Sequence, residues 1–176
     1  GHSLANYWMH VGRLGLNNEK MSKSLGNVIN VKDLIEAIDA NAFRLFMLSV
    51  HYRQPINYTE ENIQLAVKEW QKIKSTFEQL HLKLDLAEAL DVEGEVVPEI
   101  ENLMQQFTLA LEDDFNTSNA ITSLYGVIKE INKMTRAKAS DAACKYALMT
   151  LQNMAYIFGF DLSKKRLTLE ERELMK

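Results

Sequence analysis

The chain has 176 residues with a net charge of −4, is 47% hydrophobic and 25% charged, and carries a single cysteine. That is the balance of a globular protein with one good core or two small ones. It excludes an internal disulfide framework, and no apolar run is long enough to span a bilayer. The charge is unevenly spread, at about +2 from Gly1 to Thr59 and about −7 from Glu60 to Phe160. The N-terminal part can face phosphates, whereas the rest reads as an acidic solvated surface.

In chain order, Tyr7 to Leu16 mixes aromatic and β-forming residues with glycines, which predicts a strand, or a hairpin, leading into the next segment. Asn17-Asn18 is a turn signal. Residues 20 to 24 then read Lys-Met-Ser-Lys-Ser, followed by Gly26. A chance match to that pentamer in a chain of this length is on the order of one in ten thousand. Two mobile cations, two hydroxyls and a glycine in one loop suit a triphosphate: lysine follows developing charge, and small residues admit backbone N–H groups to phosphate oxygens. The competing reading is a solvated basic loop. Such a loop, from Asn17 to Asn27, is expected to be mobile, being rich in small and charged residues.

Asn30 reads as an N-cap, with Asp33 three residues on and Leu34, Ile35 and Ile38 forming an apolar face. Asp39 caps a second helix whose Phe43, Leu45, Phe46, Met47 and Leu48 predict burial. Arg44 within it reads as an ion pair or a carbonyl cap. His51-Tyr52-Arg53 follows that helix, and Gln54 to Tyr58, with Pro55, reads as an extended linker. Thr59 caps a long helix with Ile63, Ala66, Trp70, Ile73, Phe77, Leu80 and Leu84 at alternating steps of three and four. Asp91 to Pro98, with Gly94, reads as the least ordered stretch. Ile100, Leu103, Met104, Phe107 and Leu111 predict another helix. Asn116 to Ser118 is a turn and cap, and Ile121, Leu124, Tyr125, Ile128 and Ile131 form the next apolar face. Ser140 caps a last helix with Cys144, Leu148, Leu151, Met154 and Ile157 or Phe158 inside, stopped by Gly159. His10 reads as a packed histidine. Asp113 and Asp114 beside a turn read as structural rather than metal-binding. The fold class is therefore mainly α: a small α/β module followed by an antiparallel bundle of about four helices.

The stretch from Asn6 to Val28, NYWMHVGRLGLNNEKMSKSLGNV, resembles the segment around the signature loop of class I aminoacyl-tRNA synthetases, and most closely that of the cysteine-specific family. Asp39-Ala40, Arg44, Phe46, Ser49 to Arg53, Asn57 to Asn62 and Asp113 to Thr117 continue the likeness, to about Phe160. The resemblance implies three segments: residues 5–58 as the end of a catalytic domain with stem-contact helices, 59–160 as a DALR-type tRNA-binding helical domain, and 161–176 as a linker. It implies that Lys20, Met21, Ser22, Lys23 and Ser24 hold ATP, bound with magnesium. Lys23 would be the main phosphate contact, and Lys20 and Lys23 the catalytic cations. It places His51, Tyr52 and Arg53 at the inner corner of tRNA(Cys), with Arg53 on a phosphate. A helix end carrying a cation and a packed aromatic is the equal alternative for that trio.

The family's HIGH signature is missing from this sequence, and His2, His10, His51, His81 and Cys144 show no metal-ligand spacing. The zinc of the family is therefore expected outside this stretch. The implied whole is a cytoplasmic, monomeric ligase that joins cysteine to tRNA, of which this piece alone is inactive. A related ligase that joins cysteine to an amino sugar, and a stand-alone helical interaction module, are the other readings.

Overall fold

The computed structural model describes residues 4–17, 19–20, 30–164 and 166–174, with the backbone alone for Lys20 and Leu169. Three short strands come from the N-terminal third: β1 (Leu14–Leu16), β2 (Glu19–Lys20) and β3 (Ile56–Tyr58). β1 pairs antiparallel with β2 and parallel with β3, in the order β2-β1-β3. Asn17 closes the β1–β2 hairpin at φ 50°, a conformation asparagine tolerates better than most residues. The stretch from Gln54 to Tyr58 is thus more than a linker, since Ile56 to Tyr58 form β3. Its backbone finds partners on β1, about forty residues earlier, and pairing at that range leaves no local mark in the sequence.

α1 (Val31–Ala37) starts at Asn30, but the Asn30 side chain donates to Asp33 Oδ2 (3.1 Å) and caps no backbone N–H. Only Leu34 of α1 is buried, and Ile35 stays exposed, so the expected apolar face is narrower than its sequence. α2 (Ala40–Leu48) is capped by Asp39, whose Oδ1 accepts from the Asn41 amide at 2.9 Å. Leu45 and Phe46 are buried as expected, Phe43 and Leu48 are half-buried, and Met47 turns outward; Ala42 is buried as well.

α3 (Glu60–Leu86) runs 27 residues, about 40 Å at 1.5 Å per residue. Thr59 Oγ1 accepts from the Asn62 amide (3.1 Å), and Glu60 and Glu61 lie at the positive end of the helix dipole. All seven residues of its predicted seam are buried. α4 (Pro98–Glu112), α5 (Thr117–Arg136) and α6 (Asp141–Phe158) complete the bundle with α3 around one core. Asn116 and Ser140 cap α5 and α6. Phe107 and Phe158 meet edge to face at 5.1 Å, and Trp70 lies 5.2 Å from Phe160. Phe158, not Ile157, takes the inward position at the end of α6.

Two local readings change. The stretch from Asp91 to Pro98 is pinned: Lys145 Nζ donates to the Leu90 carbonyl (2.5 Å), and the Glu95 amide to the Ala142 carbonyl (3.0 Å). Gly94 lies close against Tyr146, whose Cα would stand 3.2 Å from a Cβ there. His10 is exposed, not packed. Beyond α6, Phe160 and Leu162 are buried. Arg166 then grips Asp91 with both terminal nitrogens (2.7 and 2.5 Å), and Arg172 on α7 (Leu169–Leu174) donates to Asp85 at 2.8 Å. Asp85 is almost wholly buried and also accepts the Leu167 amide (2.6 Å), so it is paired and hydrogen-bonded as a buried charge must be. Among the described residues, no helix is long and apolar enough to cross a membrane.

Candidate functional site

The first residue of the lysine pentamer lies on the sheet. Lys20 ends β2, with its Cα opposite Gly15 of β1. Met21, Ser22, Lys23 and Ser24 lie outside the described residues, as do Leu25, Gly26 and Asn27. What the structure does show is the base of the loop. β1 is stitched to the segment after α2 by three backbone bonds outside the strand ladder: Gly12 N to Tyr52 O (2.7 Å), Ile56 N to Arg13 O (2.9 Å) and Asn17 N to Tyr58 O (3.0 Å). Gly12 is required there, because a Cβ on it would sit 1.9 Å from the Gln54 carbonyl oxygen.

His51, Tyr52 and Arg53 therefore lie beside the entry to β1. They are brought together with Asp114, about sixty residues later, in the turn between α4 and α5. Tyr52 donates its hydroxyl hydrogen to Asp114 Oδ1 (2.7 Å). Arg53 Nε lies 2.8 Å from Asp114 Oδ2 and 2.9 Å from the Tyr52 hydroxyl, and Nη2 lies 3.2 Å from Oδ1. His51 stacks on Tyr52 at 4.7 Å, with Nε2 3.8 Å from Asp114. The hydrogen bonds from Tyr52 and Arg53 hold the Asp114 carboxyl below its ordinary pKa, so it is ionised at neutral pH. The same bond to Asp114 pushes the Tyr52 phenol up, because a phenolate there would face the carboxylate.

The turn that carries Asp114 is strained. Asp114 and Phe115 have φ of 51° and 54°, in the left-handed region that side chains avoid. The Asn116 amide, bonded to the Ala110 carbonyl (3.0 Å), and the Phe115 amide, bonded to Leu111 (3.1 Å), hold it in place. Asp114 was legible as structural, but its partners were not, since nothing near either motif points to the other. Arg44 caps the α6 C-terminus by donating to the Gly159 carbonyl, as its place in an apolar helix suggested. Cys144 is fully buried in the core, with Lys83 Nζ 3.0 Å from its sulfur. That lysine contact had no sequence signal.

Residues 1–68 match the family model described as "tRNA synthetases class I (C) catalytic domain", and residues 106–163 match the DALR domain. A cysteine–tRNA ligase of Bacillus cereus is 41% identical over 98% of this chain, and one of Staphylococcus saprophyticus is 42% identical over 73%. The chain is thus similar to cysteine–tRNA ligases along nearly its whole length, with one segment matching the class I (C) catalytic domain and one the DALR domain. It spans 38% of the length of the Bacillus relative and 28% of the Staphylococcus one. A solved structure of the ternary complex of Agrobacterium radiobacter agnB2 LeuRS with tRNA and LeuAMS superposes with a TM-score of 0.69. It is 20% identical and covers 84% of this chain and 20% of its own, which speaks to the shared fold alone.

Proposed function

We propose that the protein to which this segment belongs activates cysteine with ATP and transfers it to tRNA(Cys). Residues 5–58 would supply the ATP-phosphate loop, and residues 59–160 the helical domain that faces the tRNA. The observation that carries this reading is the identity with cysteine–tRNA ligases, which runs through the lysine pentamer and on to the end of the bundle. The geometry supports it. Lys20 lies in a hairpin whose β1 strand is braced by β3, and the segment leading into β3 carries His51, Tyr52 and Arg53.

The reaction joins a carboxylate to the α-phosphate of ATP and releases pyrophosphate, so negative charge grows on the β- and γ-phosphates as the bond breaks. Cations that meet that charge late lower the barrier most. Lys23 takes that role, with Lys20 at the hinge and Ser22 and Ser24 donating to phosphate oxygens. Magnesium, when bound, neutralises the same phosphates. The residues in view do not fit a zinc site. Among the described residues, no group of three or more His, Cys, Asp or Glu is placed to hold a metal ion, so no step is routed through zinc. Arg53, with its side chain 60% exposed, can meet a tRNA phosphate only by sharing or leaving Asp114. The ligase is read as a cytoplasmic monomer, and this segment alone, with no HIGH run in its sequence, as silent in ATP–pyrophosphate exchange.

The test is Lys23→Ala in the complete ligase. Adenylate formation in pre-steady-state kinetics should slow about a hundredfold, with cysteine affinity unchanged. An unchanged rate constant with weakened cysteine binding would overturn the assignment.

A further inference from the structure

Tyr52 is held at both ends. Its carbonyl accepts the Gly12 amide at the entry to β1, and its hydroxyl donates to Asp114 in the bundle. We propose that Asp114, acting through Tyr52, is a positioning residue that sets where the root of the lysine loop sits relative to the helical bundle. This rests on the function proposed above for the loop, but the placement of β1 can be tested without it.

The far half of β3 has other anchors. Asn62 Nδ2 donates to the Asn57 carbonyl (3.1 Å), Tyr58 packs edge to face on Phe46, and Thr59 caps α3 directly after it. The segment leading into β3, residues 50–55, has a different support. Gln54 N closes a tight turn onto the His51 carbonyl (2.8 Å), and the side chains of that turn converge on Asp114. A carboxylate suits the position because it accepts from a phenol and a guanidinium at once, on two oxygens. Its strained turn is over-determined by α4 and α5, so Asp114 is a fixed point to which β1 can be referred. Through Gly12 and Arg13 that reference passes to β1, and through the Gly15–Lys20 pairing to the first residue of the pentamer.

The experiment compares this chain with its Asp114→Asn and Tyr52→Phe variants by amide hydrogen exchange. Tyr52→Phe removes the hydroxyl bonded to Asp114 and Arg53, and Asp114→Asn removes the charge and one of the two acceptor oxygens, in both cases without opening a cavity. The Gly12 and Ile56 amides should exchange about tenfold faster in both variants, and the Asn17 amide, anchored through Tyr58, should change least. Core amides of α5 and α6 should keep their wild-type rates, which shows that the fold is intact. Unchanged exchange at Gly12 in both variants overturns the proposal.

In the complete ligase, Asp114→Asn should slow adenylate formation by about three- to tenfold and leave the KM for tRNA unchanged. A raised tRNA KM with an unaltered adenylation rate would make the cluster an RNA contact and overturn the positioning role. If the wild-type ligase forms no cysteinyl adenylate, the functional reading falls, and the exchange result still decides what Asp114 holds.

Discussion

Asp39 serves two elements with its two oxygens, which makes it a sharp test of how the N-terminal module is joined to the bundle. Oδ1 caps α2 through the Asn41 amide (2.9 Å), and Oδ2 accepts the Trp70 indole N–H (2.8 Å). Trp70 is 2% exposed, so its N–H has no water to fall back on. Asp39→Ala should lose a cap worth about 1 kcal/mol and orphan a buried donor at a cost of about 1–2 kcal/mol. We expect a total of about 2–3 kcal/mol. Asp39→Asn keeps one acceptor and should cost about half as much. Urea unfolding followed by far-UV circular dichroism measures both. The decisive comparison is Asp39→Ala in a Trp70→Phe background, where no indole N–H remains and only the cap is lost, about 1 kcal/mol. Equal costs in the two backgrounds would refute the shared-acceptor reasoning. The acid limb gives a second check. Burial pushes the Asp39 carboxyl up, but the bonds from Asn41 and Trp70 outweigh it and hold the pKa below its ordinary value. Its contribution is therefore present above about pH 4 and lost as pH falls through the folded value, so wild type and Asp39→Asn should converge in acid.

Phe107→Ala removes a fully buried ring that meets Phe158 edge to face, and should cost about 3–5 kcal/mol in the same urea assay. Gly159→Ala should cost about 1–2 kcal/mol, because φ is 69° and the new Cβ would stand 2.7 Å from Arg44 Nη1. Pairing it with Arg44→Ala should remove the steric part of that cost and leave the backbone part. Burial pushes the His81 imidazole below its ordinary pKa, against the pull of Asp85, so the fold favours neutral His81. The stability this provides is whole above about pH 6.5 and is lost as pH falls through the lower folded value. A His81→Gln variant should show a flatter stability profile across that window in thermal melts.

What the sequence determined by itself is what short-range physics can write into a run of residues. The seam of α3 from Ile63 to Leu84 was visible because 3.6-residue periodicity and burial are the same statement. The caps at Asp39, Thr59, Asn116 and Ser140 were visible because each bonds a backbone N–H two or three residues away. The lysine pentamer and its surroundings carried the resemblance to class I synthetases without any fold at all. The tertiary structure alone decided what depends on chain segments far apart. It turned the end of the Gln54–Tyr58 linker into a parallel strand, pinned the Asp91–Pro98 loop on α6, and placed Lys83 on Cys144. It also brought His51, Tyr52 and Arg53 to Asp114. Both motifs were legible, but a carboxylate sixty residues away selects its partners by position in space, and a side chain carries no local trace of the partner that will meet it.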